Sequence, residues 1–362
     1  MVDPERLREA FALQYQICRG LGAEVAATVL DRARCDVDTD GPVGALLDGL
    51  EADPIEGNLP LRLLAAVHRL VLGGGAPELE VHFPTTGGKP DLAAVGDLFV
   101  ACVAREAGPL RAQLVVDPQT NEVARAAVLF AGLMTIWQRT RLPMRLLELG
   151  ASAGLNLHFD RFRYKLGRFE WGDPYSPVSL YPSWSGDLLA AEEAPMDIVS
   201  RAGCDLDPID VTDPEAALRL CSYVWPDDPD RLDRLRAAIG LARQDPITVD
   251  RDDALDWLAD KLESLQPGVG TVIFHSIFWA YLSRSARDEL TALIERTGEQ
   301  ARIGQPLCWL RLEQEDQVCQ LRLRVWPAGG GQDELLADVH PHCRWIRWQQ
   351  RGARPLLEEI DR

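Results

Sequence analysis

The stretch MRLLELGASAGLN, residues 144–156, decides the fold. Its first half is a short apolar run that ends in glycine, which is typical of a buried parallel strand. Its second half is rich in glycine, so the backbone can come close to a ligand because glycine carries no Cβ atom. A helix that follows such a turn directs its free amides toward the same crevice. The stretch therefore predicts a strand, a ligand-binding turn and a helix.

The spacing of the glycines in this turn favours one kind of ligand. Dinucleotide-binding turns carry Gly-x-Gly-x-x-Gly, whereas this turn has serine in the middle position and its last glycine one place early. That spacing fits the methionine carboxylate end of S-adenosylmethionine better than a pyrophosphate. We therefore predict S-adenosylmethionine as the cofactor, held in this segment by Glu148, Gly150, Ser152, Gly154 and Asn156.

The same Gly-x-Ser-x-Gly pattern is also the nucleophile elbow of α/β-hydrolases, in which Ser152 would attack an acyl group. Chain order offers Asp253 as the acid and His275 or His342 as the base. An elbow usually follows several strands, whereas this turn follows the first strand, and Glu148 is typical of a cofactor turn. The cofactor interpretation is favoured, and a glycine turn that only packs a strand against a helix is the structural alternative.

Downstream of this turn, apolar runs alternate with helical segments. Such alternation predicts βαβ crossovers and a mainly parallel sheet, and three tail segments, PLCWLRLEQ, QVCQLRLRVW and RWIRW, predict antiparallel strands at its edge. We therefore predict an α/β fold over residues 119–362, with the Rossmann-like sheet of a class I methyltransferase. Residues 164–195 fit neither pattern and predict an irregular insertion.

Upstream of the turn, residues 1–118 predict a helical domain. Segments such as LRLLAAVHRLVLGGG place apolar residues at helical spacing and end on glycines. A further long helix, predicted from about Thr120 to Arg139, leads into the first strand of the second domain.

The composition indicates which partners to expect. The 362 residues carry a net charge of −18, which disfavours binding to phosphate backbones. There is no secretory leader pattern and no apolar run of the ~20 residues that a membrane span needs. The eight cysteines are scattered, as in a reducing compartment. We expect a cytoplasmic protein with a small-molecule or protein substrate, without bulk nucleic-acid binding or membrane attachment, and the oligomeric state stays open.

Several strings along the chain carry a family resemblance. They include AVHRLVLGGGAPELEVHFP, LLELGASAGLNLHFDRFRY, WGDPYSPV, GCDLDPIDVTDPE and VIFHSIFWAYL. Together they resemble the uncharacterised bacterial domain-of-unknown-function family 2332 over nearly the whole chain. Members look like S-adenosylmethionine-dependent methyltransferases in fold, so the resemblance implies that fold more than it implies a substrate.

A methyltransferase-like fold implies further cofactor ligands among the acidic residues. An acid after the second strand holds the ribose hydroxyls, and Asp205 is favoured over Asp207 for this role. Asp205 lies far beyond the usual ~20 residues after the glycine turn, which the insertion would explain. After the third strand, Asp253 is placed to accept from the adenine amino group. Its alternative role is to cap the helix that follows.

Other polar residues are expected to line the substrate pocket. His275 and Ser276 follow the fourth strand, where an imidazole can act as general base; a structural hydrogen-bonding histidine is the alternative. Asn121, Glu122 and Arg125 lie on the helix before the first strand, which in this fold often passes over the cofactor.

The predicted reaction is methyl transfer from S-adenosylmethionine to a small-molecule or protein acceptor. A non-catalytic protein that binds S-adenosylmethionine or serves in interactions, and a serine hydrolase that uses Ser152, are the alternatives. The cluster of His340, His342 and Cys343 offers metal-ligand types, but no second cluster accompanies it, so no metal is predicted.

Overall fold

The computed structural model describes residues 3–116, 118–187, 196–316 and 318–349. The chain divides into two compact units. The first unit comprises Met1–Thr120 and Asp210–Arg236, and the second comprises Asn121–Ile209 and Ala237–Arg362. Part of the predicted insertion, residues 188–195, lies outside the described residues.

In its described residues the first unit consists of helices joined by loops, without a strand. Its longer helices bury one face each in a shared core that includes Phe11, Leu63 and Phe99. Its helices are α1 (Pro4–Gly20), α2 (Glu24–Asp38), α3 (Pro42–Leu47), α4 (Leu59–Leu72), α5 (Pro77–Glu80), α6 (Val95–Arg105) and α7 (Ala107–Leu114).

Residues 210–236 belong to the first unit, although the sequence predicts that everything beyond residue 118 forms the second domain. The reason is a set of hydrogen bonds between distant parts of the chain. The carboxylate of Asp227 accepts hydrogen bonds from the amides of Val25 at 2.7 Å and Ala26 at 2.9 Å, which caps the start of α2. Nδ1 of His68 donates to the carbonyl oxygen of Ser222 at 3.2 Å.

The second unit is built around a nine-stranded sheet. Its sheet strands in chain order are β1 (Met144–Leu149), β5 (Ser183–Ser185), β6 (Ile198–Asp205), β7 (Val249–Arg251), β8 (Gly270–Ser276), β9 (Leu307–Glu315), β10 (Val318–Trp326), β11 (Glu334–Val339) and β12 (Trp345–Trp348). The helices in chain order are α8 (Ala126–Thr140), α9 (Pro214–Ser222), α10 (Pro229–Gln244), α11 (Ala254–Lys261) and α12 (Arg284–Glu299). Of these, α9 lies in the first unit and α10 crosses the boundary at residue 236.

The strand order of the sheet is β5-β12-β11-β10-β9-β8-β1-β6-β7. From β7 to β9 all neighbours are parallel, and from β9 to β12 they are antiparallel. The outermost strand, β5, is parallel to β12. The predicted mixed α/β architecture with a mostly parallel sheet is therefore confirmed.

Helices cover both faces of this sheet. Successive residues of a strand point to opposite faces. Leu310 of β9 lies against Gly132 of α8, whereas its neighbour Trp309 packs in a core cluster with Leu290 and Ile294 of α12. Among the described helices, none is both long and apolar enough to cross a membrane.

The segment after the glycine turn is more regular than the sequence predicts. It forms a second, three-stranded sheet in the order β3-β2-β4, with β2 (Arg163–Leu166), β3 (Phe169–Trp171) and β4 (Ser179–Leu180). Aromatic packing anchors it, because Phe130 of α8 stacks on Tyr164 with ring centroids 4.2 Å apart and lies 4.7 Å from Trp171.

Candidate functional site

The residues predicted to bind the cofactor follow strands that end at one edge of the sheet. Register pairs Leu149 with Cys204 on β6, and Glu148 with Phe274 on β8. Since these strands are parallel, their carboxyl ends meet at the same edge. The strand order reverses here, with β6 and β7 on one side of β1 and β8 and β9 on the other. In open α/β sheets, ligands bind at such a reversal.

The glycine turn is held in place by side chains from two other segments. Its backbone has positive φ at Gly150 (65°), Ser152 (56°) and Gly154 (68°). The amide of Ser152 donates to the carboxylate of Asp205 at 2.9 Å, and the amide of Leu155 donates to Oδ1 of Asn121 at 3.0 Å. The predicted helix after the turn is a short 3-10 helix, Leu155–Arg161, rather than an α-helix.

Three polar side chains along this turn are buried without a described partner. Glu148, Ser152 and Asn156 are only 2%, 3% and 2% exposed. Oε2 of Glu148, Oγ of Ser152 and Oδ1 of Asn156 make no hydrogen bond to any described residue. Most buried polar atoms in folded proteins have a partner, so three such atoms within nine residues indicate a place for a polar ligand or ordered water.

Burial changes the charge state of Glu148. Its pKa lies well above the ordinary value of 4.5, first because the carboxyl is buried and second because the carboxylate of Asp205 is close. A carboxyl group in this position takes up a proton readily until a cation or a hydrogen-bond donor reaches it.

The two outer glycines of the turn are needed for packing within the chain. A Cβ atom on Gly150 would collide with the ring of Phe278. One on Gly154 would lie 3.0 Å from Cγ2 of Val249. These two glycines match the structural alternative, in which the turn packs closely against its neighbours. The buried polar atoms, not the glycines, therefore carry the ligand hypothesis.

Three acidic residues lie at the carboxyl ends of the neighbouring strands β6 and β7. Both carboxylate oxygens of Asp205 accept backbone amides, one from Ser152 and one from Asp207 at 3.0 Å. The carboxylate of Asp207 is exposed and pairs with Arg251 at 2.8 Å. Asp253 caps α11 by accepting from its second amide at 2.8 Å, which is the capping role that the sequence offers as an alternative. An adenine contact by Asp253 stays a prediction.

His275 is fully buried, and both of its ring nitrogens are engaged. Nε1 of Trp309 donates to Nε2 at 3.0 Å, so the proton of the neutral ring is on Nδ1, which lies 2.6 Å from a carboxylate oxygen of Glu313. The same carboxylate accepts from the amides of Phe278 and Trp279. This arrangement favours the structural alternative, because no ring nitrogen is open to a substrate proton.

The residues expected to line the substrate pocket mostly hold the backbone of this edge. Asn121 fixes the glycine turn as described, and Oε1 of Glu122 accepts from the amide of Ala124 to start the 3-10 helix Val123–Arg125. Nη1 of Arg125 donates to the carbonyl oxygen of Ser276 at 3.1 Å. Asn121 and Arg125 are thus bonded to the turn after β1 and to the end of β8, and a role in a substrate pocket stays a prediction.

Two functional candidates escape the sequence-based prediction. His158, on the 3-10 helix, is 2% exposed, and its Nδ1 has no partner among the described residues; burial first, and Arg201 second, lower its pKa. Glu313 is the acid that positions His275. A glutamate inside a strand has no signal that distinguishes it from an outward-facing one, whereas the string LNLHF could have pointed to His158 by its position after the turn.

The metal hypothesis finds no support in the part of the chain that the structure describes. No group of three histidine, cysteine or carboxylate side chains there could hold a metal ion. Nδ1 of His340 accepts from the amide of His342 at 3.0 Å, which closes a local turn.

Comparison with models of protein families identifies the family of this chain. Residues 8–348 match the model of a family described as an uncharacterized protein conserved in bacteria, DUF2332. The chain belongs to this family. The match spans the glycine turn and residues of both units, and the family description names no reaction. No curated protein matches the chain.

Proposed function

We propose that the second unit binds S-adenosylmethionine at the carboxyl edge of its sheet and transfers the methyl group to a small-molecule or protein acceptor. The observation that carries this proposal is the set of buried polar atoms without partners on Glu148, Ser152 and Asn156. They lie on the strand, the turn and the start of the 3-10 helix that border the reversal of strand order.

The topology of the parallel strands supports the proposal. Numbered along the chain, the five parallel strands have the order 3-2-1-4-5, which is that of the Rossmann fold. In that fold the turn after the first strand borders the ligand, and an acid after the second strand contacts the ribose. Glu148 lies in the first strand, two residues before the turn begins at Gly150, and Asp205 is the last residue of the second strand.

The chemistry of the buried atoms fits the methionine end of the cofactor. The free oxygens of Glu148 and Asn156 are hydrogen-bond acceptors suited to an ammonium group, and the hydroxyl of Ser152 can donate to a carboxylate. S-adenosylmethionine, when bound, supplies a methyl group activated by its sulfonium. A bound cation would favour the ionised form of Glu148, so we expect binding to release a proton from this carboxyl.

The chain's own contribution to catalysis is positioning. Two hydrogen bonds fix the turn. The amide of Ser152 donates to Asp205 and ties the turn to the second strand, and the amide of Leu155 donates to Asn121 and ties it to the segment before α8. His275 has no open nitrogen, so the proposal assigns it to holding the end of β8 and assigns no general base.

Ligand titration of the full chain tests this proposal. S-adenosylmethionine and S-adenosylhomocysteine should raise the melting temperature and NAD should not, because only a ligand of the folded state stabilises it. Ser152→Ala removes the unpartnered hydroxyl at the turn and should weaken S-adenosylmethionine binding about tenfold, the value of one hydrogen bond to a charged group.

The matched control is Thr271→Val. Thr271 is also buried, and its hydroxyl has no partner among the described residues, but it lies near the start of β8, away from the carboxyl edge. This variant should bind the cofactor as the wild type does. Failure of both cofactor forms to bind, or equal weakening in the two variants, would overturn the proposal.

The hydrolase alternative lacks a base in the described structure. The hydroxyl of Ser152 makes no hydrogen bond to a described residue, although its positive φ resembles a strained elbow. We expect a fluorophosphonate probe to leave Ser152 unlabelled. Stoichiometric labelling, abolished by Ser152→Ala, would replace methyl transfer by acyl transfer. Cofactor binding without any methylated product from a broad set of acceptors would favour the non-catalytic alternative.

A further inference from the structure

The first unit contains a small pocket lined by three arginines. Its volume is about 100 Å³, and Arg62, Arg69 and Arg219 line it. Helix α4 contributes the first two, with Ala65 and Ala66 between them. Residues three, four and seven apart lie on one helix face, so the two alanines leave space between the two arginine side chains.

A second helix supplies the same kind of face. The pocket is also lined by Arg219 and Ser222 of α9 and by Tyr223, the residue after this helix, at spacings of three and four. Gln113 of α7 adds a further polar side chain. The side chains thus come from three helices of one unit. The arrangement depends on the return of residues 210–236 to this unit.

The three guanidinium groups differ in how they are engaged. Arg62 is only 6% exposed, and it donates to the carbonyl oxygens of Gly57 at 2.6 Å and Leu114 at 3.0 Å. Arg69 pairs at 2.8 Å with Glu215, whose carboxylate is 75% exposed. Arg219 is half-buried.

No described residue forms a hydrogen bond or ion pair with the guanidinium of Arg219, in contrast to the other two arginines of the pocket. Arginine is rarely buried in proteins unless it is paired. Three guanidinium groups lie beside this one small pocket. They create a local positive field, although the chain as a whole has a net charge of −18.

We propose that this pocket binds a small oxyanion, either a phosphate group or a carboxylate. The fork of a guanidinium matches the oxygens of both groups. A water molecule needs roughly 10–15 Å³ of such volume, so the pocket has room for an anion of a few non-hydrogen atoms and not for a nucleotide. All of its residues lie in the first unit, so the proposal is independent of the cofactor site.

Calorimetric titration of the full chain tests this site, with inorganic phosphate and with acetate as probes. Chloride at matched ionic strength corrects for general screening. Wild-type protein should bind at least one of the two probes, and Arg219→Gln should weaken that binding about tenfold or more, as expected for loss of a charge-assisted hydrogen bond. Arg219→Lys keeps the charge but loses the fork, so it should retain part of the affinity.

Arg8→Gln is the matched control. Arg8 lies in the same unit on α1, outside the pocket, and pairs with Asp38 on the surface. Its loss removes the same charge and should change the affinity by less than about twofold, since exposed ion pairs contribute little. If Arg219→Gln proves unfolded by circular dichroism, Arg69→Gln takes its place.

Preference for phosphate or preference for acetate would each support the proposal and identify the class of ligand. Two results would overturn it. One is a response to phosphate and acetate that equals the response to chloride. The other is equal affinity in wild type, the pocket variants and the Arg8→Gln control.

Discussion

Replacing Glu148 by glutamine should change how the stability of the protein depends on pH. Glu148 is the next-to-last residue of β1 and is 2% exposed. Burial and the nearby Asp205 raise the pKa of its carboxyl well above 4.5 in the folded protein. The unfolded chain exposes this carboxyl to water, where its pKa returns to the ordinary value near 4.3–4.5.

The sign follows from which state holds the proton. Above the unfolded pKa, the unfolded chain releases the proton of Glu148 while the folded protein keeps it, so stability falls as pH rises toward the folded pKa. Below the unfolded pKa of about 4.5, both states hold the proton of Glu148, so the protein loses no stability there through this group. In the unfolded state, Glu148 is protonated in about a quarter of the chains at pH 5 and in almost none at pH 6. For as long as the folded group keeps its proton, the free energy of unfolding falls with rising pH by at most about 1.4 kcal/mol per pH unit.

Glutamine has the same shape and does not titrate, so Glu148→Gln removes this loss. We expect the difference in unfolding free energy between the variant and the wild type to shift in favour of the variant as pH rises from 5 to 6, by at most about 1.4 kcal/mol. Any constant cost of burying the amide cancels in this comparison.

Urea denaturation at a series of pH values measures this shift, and the exposed Glu315→Gln in the same unit provides the baseline. A Glu148→Gln difference that stays constant within about 0.3 kcal/mol from pH 5 to pH 7 would refute the reasoning. It would mean that Glu148 is solvated or paired in solution. A saturating amount of S-adenosylmethionine should reduce the pH dependence, because the bound ammonium favours the ionised carboxyl.

Three further predictions concern residues that support the folds of the two units. Glu313→Ala should lower the free energy of unfolding by about 3 kcal/mol in urea, because it leaves His275 and two amides without their buried acceptor; a loss below about 1 kcal/mol would contradict this. Asp227→Ala should cost about 1–2 kcal/mol and speed hydrogen exchange of the first amides of α2, whereas unchanged exchange there would contradict its capping role. Gly150→Ala should lower the melting temperature, and Phe278→Ala in the same chain should relieve part of that loss because the added Cβ meets this ring. Strict additivity of the two changes would exclude the contact.

The central strand and the turn could be predicted from the sequence because their signals are local. An apolar run that ends in glycine specifies a buried strand regardless of its partners, and the alternation of strands and helices specifies the parallel pairing. The order of the parallel strands then brings Glu148, Asp205 and Asp253 to one edge. Each of these predictions depends on residues within one element or between adjacent elements.

Long-range pairings could not be predicted in the same way. Asp227 caps a helix 202 residues away, so the return of residues 210–236 to the first unit leaves no local trace. The role of His275 depends on Glu313 and Trp309, which lie 38 and 34 residues further along the chain on β9. A histidine at a strand end looks the same in sequence whether its ring faces a substrate or two buried partners.

The glycine turn shows how one motif can combine packing and binding. Gly150 and Gly154 have positive φ and touch Phe278 and Val249, so the packing of the turn accounts for both. Ser152 has positive φ as well, at 56°. A side chain costs on the order of 1 kcal/mol in that conformation, which glycine would avoid.

Packing gives no reason for a serine at this position, since its buried hydroxyl has no described partner and adds a desolvation cost. The two costs act in the same direction and neither is offset within the described residues. A ligand that accepts or donates a hydrogen bond to this hydroxyl would offset the second. The central serine, rather than the glycines on either side, is therefore the residue of the motif that most strongly favours a bound ligand.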